Sequence, residues 1–74
     1  MENKMNDIIR VFFEPHGIKD NIIMLRAKLY CLECTKNCAS IDTVKNSFGY
    51  RISKEYLPKE VLSDEYIERI INYA

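Results

Sequence analysis

The sequence predicts a mostly α protein, a small bundle of three to four helices forming a single domain over residues 1–74. Apolar residues recur at the i, i+3, i+4, i+7 spacing of a helix face near both ends of the chain. The longest apolar segment, residues 20–37, exceeds the length of an ordinary strand. Only two glycines and two prolines interrupt a chain that is 47% hydrophobic, which argues against disorder. The alternative is a small α+β domain with an N-terminal hairpin and a C-terminal helix. Ile8-Ile9-Arg10-Val11-Phe12-Phe13 is rich in β-branched and aromatic residues, and Ile23, Leu25, Ala27, Leu29 and Cys31 alternate with Arg26 and Lys28 in strand fashion.

Met5, Ile8, Ile9, Phe12 and Phe13 form one stripe, which predicts a first helix at about 4–13 with Asn3 or Asn6 as N-cap. Pro15 and Gly17 end it. Asp20 caps a second helix expected at about 21–37. Asp42 caps a short helix at about 43–48 that Gly49 terminates, and Tyr50-Arg51-Ile52 then reads as extended. Pro58 suits the first turn of a helix. Ser63 or Asp64 caps the last one, in which Tyr66, Ile67, Ile70 and Tyr73 face the core and Glu65 and Arg69 make an i,i+4 pair.

The second helix is the informative one. At about 100° per residue, Ile18, Ile22, Leu25, Leu29 and Leu32 fall within about 80° of one another, while Ile23, Ala27, Cys31, Cys34 and Cys38 gather opposite them. A helix with two apolar faces in so short a chain is either the centre of a bundle or half of an interface. The final helix is expected to cover the leucine face, built by Ile22, Leu25, Leu29 and Leu32. The cysteine face is then left for a protein partner or a second copy, with Met24, Tyr30, Cys31, Cys34 and Cys38 as contacts and Phe12 or Phe13 as aromatic anchors.

Charge and motif content exclude several functions. The formal net charge is zero, so no bulk attraction to nucleic acid or an anionic membrane exists. Residues 1–54 carry nine Lys/Arg against six Asp/Glu, and residues 55–74 two against five, which reads as a solvated acidic C-terminal helix beside a mildly basic body. With Gly17 and Gly49 alone, neither a GxGxxG turn nor a Walker A loop forms, and no GxSxG elbow occurs. The eleven Asp/Glu are spread at caps and exposed faces, so no catalytic residues and no enzyme are expected. No run of about 18 apolar residues exists, and Met1-Glu2-Asn3-Lys4 lacks the layout of a signal peptide, so a soluble, cytoplasmic protein is expected. Three cysteines fit a reducing compartment. Ile, Lys, Asn and Tyr fill more than a third of the chain, which suggests an AT-rich genome, bacterial, phage or viral.

Two other chemistries have candidate residues. Cys31, Cys34 and Cys38 with His16 supply the donor types of a Cys3His zinc site. On a continuous helix, however, Cys31 and Cys38 lie about 10.5 Å apart along the axis, too far to share an ion, and no Gly or Pro between Cys34 and Cys38 eases a turn. No metal and no cofactor are therefore expected. Thr43, Lys45, Asn46, Arg51 and Lys54 are the candidates for a helix-turn-helix-like DNA contact, with a weak positive balance behind them. Leu25-Arg26-Ala27-Lys28-Leu29-Tyr30 is similar to the first helix of the small sporulation phosphatases. Ser53-Lys54-Glu55-Tyr56-Leu57 departs from that family's signature at most positions and runs into Pro58, so no membership follows. The expected function is a non-enzymatic interaction module, an inhibitor, adaptor or regulator, with a DNA-binding regulator and a structural zinc domain as alternatives.

Overall fold

The computed structural model describes residues 2–74, with side chains from Lys4 onward. The protein is a mostly α bundle of five α-helices without strands among those residues: α1 (Glu2–Ile8), α2 (Asn21–Cys34), α3 (Ile41–Lys45), α4 (Phe48–Ser53) and α5 (Asp64–Tyr73). No helix among the described residues is long and apolar enough to cross a membrane.

α1 runs straight into a π-helical turn, Ile9–Phe13, then a 3-10 turn, Glu14–His16, closed by Gly17 at φ 78°. The helix expected at about 4–13 is thus present, and its stripe of Ile8, Ile9, Phe12 and Phe13 is buried. Asn3 and Asn6 both lie within the helix rather than at its N-cap position. α2 starts where Asp20 accepts hydrogen bonds from the Ile22 and Ile23 backbone N–H groups, at 2.9 and 3.2 Å. It stops at Cys34, short of the expected residue 37. Thr35 does this locally: its N–H bonds back to the Cys31 and Leu32 carbonyls, and its hydroxyl donates to the Leu32 carbonyl at 2.9 Å, satisfying C-terminal acceptors.

The expected helix at 43–48 is instead two helices. Ser40, not Asp42, caps α3 through a capping box in which its hydroxyl accepts from the Thr43 N–H and Thr43 Oγ1 accepts from the Ser40 N–H. Ser47 caps α4. Gly49 lies within α4 rather than ending a helix, and Tyr50-Arg51-Ile52 is helical, not extended. Packing explains the reversal. A Cβ at Gly49 would sit 2.5 Å from the Leu29 carbonyl oxygen, so glycine is what allows α4 to lie against the α2 backbone. One turn on, buried Ser53 splits its hydroxyl donation between the Arg26 carbonyl at 2.9 Å and the Gly49 carbonyl at 2.8 Å. Tertiary contact here overrides the local stop signal of glycine.

Two tyrosines tie the following turn to that pair, and a third ties α5 to the first helical segment. Tyr30, fully buried, donates to the Val61 carbonyl at 2.7 Å; Tyr50 donates to the Leu62 carbonyl at 2.6 Å; and Tyr66 donates to the Phe12 carbonyl. Val61 and Leu62 belong to the 3-10 turn Lys59–Leu62 that follows Pro58, a segment too short to satisfy its own carbonyls. The rings form an edge-to-face chain, Phe13 on Tyr30 at 5.7 Å and Tyr30 on Tyr50 at 5.3 Å, the arrangement favoured by aromatic quadrupoles. Ser63 caps α5 by accepting from the Tyr66 N–H, and Ile67 and Ile70 fill the core. Arg69 lies over the Phe12 and Tyr66 rings, 5.7 and 5.3 Å from their centroids, rather than reaching Glu65.

Candidate functional site

The two faces of α2 have the opposite fates to those expected. Ala27, Tyr30, Cys31 and Cys34 are buried in the chain's own core, together with Phe12 and Phe13. None of these six is available to a partner as an interface residue or aromatic anchor. The leucine face, which α5 was expected to cover, is open: Ile22 is 62% exposed, Leu25 59% and Leu32 47%. α4 docks at the Arg26 and Leu29 carbonyls through Ser53 and Gly49, and Ala27, Cys31 and Cys34 fill the core on another side of α2.

The open face is regular. Ile22, Leu25, Leu29 and Leu32 follow the a, d, a, d spacing of two heptads. In that lettering the b, c and f positions, Ile23, Met24, Ala27, Tyr30, Cys31 and Cys34, are the ones turned inward, either buried or packed against the core. The seam is therefore outward by construction. Beside it runs an open groove of about 500 Å³ walled by Lys4, Met5, Lys28 and Thr35, with Leu25, Leu29, Leu32 and Ala74 completing the lining. Phe48, at the start of α4, is also exposed, on the side of that helix away from buried Tyr50.

The remaining candidates are dispersed. Met24, half-buried, lines a shallow depression of about 420 Å³ with Glu14, Ile18 and Lys19, away from the seam. Cys38 is exposed at φ 61° in the loop after α2. The chain turns there without glycine, so the distance along a continuous helix does not apply to Cys31 and Cys38. Burial now separates the donors: Cys31 and Cys34 face the core, Cys38 faces solvent, and exposed His16 rests its ring edge-on to Tyr66 at 5.7 Å. Among the described residues no group of three His, Cys, Asp or Glu side chains is placed to hold a metal ion. Burial pushes the Cys34 thiol up to about 12 and the Cys31 thiol well above its usual value, which keeps both protonated at neutral pH.

The candidate nucleic-acid residues do not form a recognition helix. α3 is five residues long. Thr43 is held in the capping box, Asn46 donates to the Asp42 carbonyl at 2.9 Å, and Lys45 pairs with Asp64 at 2.8 Å. Only Arg51 and Lys54 project free of such contacts. Comparison with protein-family models, curated proteins and solved structures gives no match for this chain.

Heptad lettering of residues 21–35 was the sequence signal for the open seam. It was masked because leucines ordinarily outrank alanine and cysteine as core candidates.

Proposed function

We propose that the chain is a non-enzymatic protein-interaction module, an inhibitor, adaptor or regulator, that takes a helix of a protein partner against the outward face of α2. The observation that carries this reading is the outward a/d seam of exposed Ile22, Leu25 and Leu32 with half-buried Leu29 between them. Isolated apolar residues are ordinary on a surface, but four at heptad spacing make a contiguous stripe of the kind that a helix fills. The groove walled by Met5 and Lys28 gives such a helix a bed deeper than a flat patch. Leucine knobs supply affinity, and the charged residues beside them supply selectivity.

A photo-crosslinking residue introduced at Leu29, in cells expressing the chain, tests this. It should give a defined protein adduct that the same residue at exposed Glu68 on α5 does not give. Equal labelling at both positions, or none at either, contradicts the reading.

A further inference from the structure

We propose that the helix seated on this seam is α2 of a second copy of the chain, parallel and in register. The inference rests on the docking face proposed above and adds the identity of its occupant. Charge placement carries it. With Ile22 and Leu29 at a and Leu25 and Leu32 at d, Lys28 occupies g and Glu33 occupies the following e. In a parallel pair each g residue faces the e residue five positions further along the other helix. Lys28 then faces the partner's Glu33, and the partner's Lys28 faces Glu33, so two ion pairs flank one apolar seam.

The antiparallel arrangement does the reverse. Full overlap of the four apolar residues sets Leu25 against the partner's Leu29 and places the symmetry axis at residue 27. Arg26 then lies near the partner's Arg26 and Lys28 near the partner's Lys28, with Glu33 on the opposite flank from the partner's Lys28. Like charges at the centre disfavour that geometry. Isoleucine at the first a position and leucine at both d positions also suits a parallel two-stranded pairing.

Within the protomer Glu33, its side chain 25% exposed, holds the 64% exposed Lys36 at 3.1 Å, an i,i+3 pair that the partner's Lys28 would replace. α4 borders α2 on the Arg26 and Glu33 side, through the Arg26 and Leu29 carbonyls, and the groove with Lys4 and Met5 lies on the Lys28 side. Parallel pairing therefore lays α4 of each copy along the other's groove, where exposed Phe48 finds an apolar bed of Met5 and Leu29.

Sedimentation equilibrium from micromolar to millimolar protein decides the matter. The wild type should associate to a dimer. Leu29→Glu, or Leu25→Glu if the first variant loses its helical circular dichroism, should stay folded and monomeric. Lys28→Glu should weaken the dimer by about five- to tenfold, and adding Glu33→Lys to it should restore the affinity. Direction is read on a Cys38→Ser background carrying Ile22→Cys. Parallel pairing brings the introduced thiols together at facing a positions, so they oxidise to a linked dimer. Antiparallel pairing holds them about 15 Å apart along the axis, beyond the Cα separation of about 5.5–6 Å that a disulfide spans. A wild type monomeric at millimolar concentration, or a dimer indifferent to Leu29→Glu and Leu25→Glu, overturns the self-pairing. A dimer that fails to cross-link overturns the parallel register. A Leu29 photo-adduct with a different protein, alongside a monomeric wild type, would end the self-pairing and leave the docking face standing.

Discussion

Gly49 and the Leu29 carbonyl are in direct contact across the α2 and α4 interface, with 2.5 Å between that oxygen and the position a Cβ on residue 49 would occupy. The contact seats α4 on the α2 backbone beside Leu29, while Ala27, Cys31 and Cys34 face the core on another side of that helix.

Gly49→Ala should therefore destabilise the fold although alanine is the better helix former. Helix propensity favours the change by about 1 kcal/mol. The new methyl meets backbone atoms rather than a movable side chain, however, and overpacking of this kind costs about 1–3 kcal/mol or more. A net loss of about 1–2 kcal/mol in urea denaturation is expected, with the unfolding slope unchanged. A stabilised variant would show that α4 does not pack on the α2 backbone.

Tyr30→Phe tests the link between α2 and the turn before α5. The hydroxyl donates to the Val61 carbonyl at 2.7 Å in a fully buried setting. Its removal leaves that carbonyl unpaired, at a cost of about 1–3 kcal/mol. Tyr56→Phe, at an exposed tyrosine whose ring lies under Arg26, should change stability by less than about 0.5 kcal/mol. Equal effects would contradict the assigned packing.

Alkaline pH should weaken the fold through its buried acids. Burial raises the Cys34 thiol from 9.0 to about 12 and also raises Cys31 and Tyr30. The native state then holds these protons more tightly than the unfolded chain does. Stability is full below about pH 9 and falls as pH climbs from there towards 12, because the unfolded chain ionises first. The urea midpoint should be flat from pH 6.5 to 8.5 and decline above it. In parallel, a thiol reagent at pH 8 should label one cysteine, Cys38, quickly, and Cys31 and Cys34 only with unfolding. Three thiols reacting together would contradict their placement.

Local chemistry made much of the fold legible. Asp20 and Ser63 start their helices as their side chains dictate, Gly17 ends the first helical segment, and the stripe from Ile8 to Phe13 is buried. What sequence reasoning misplaced depends on contacts distant in sequence. Gly49 looks like a helix stop until α2 is set against it. Cys38 turns the chain at φ 61° without the glycine such a turn usually recruits. The two-faced character of α2 was visible in the periodicity, but the inward face was not. Hydrophobicity favours leucine for burial, whereas the face that packs inward here carries Ala27, Cys31 and Cys34 around Tyr30.

Paired substitutions near the end of α2 test the central claim, that its cysteine face is core and its leucine face is open, most directly. Cys34→Asp and Leu32→Asp lie within one turn, so helix-end electrostatics affect both alike. Urea unfolding followed by circular dichroism should show Cys34→Asp unfolded or weakened by several kcal/mol, since it buries an unpaired carboxylate, and Leu32→Asp folded within about 1 kcal/mol of the wild type. A folded Cys34→Asp beside an unfolded Leu32→Asp would contradict the account.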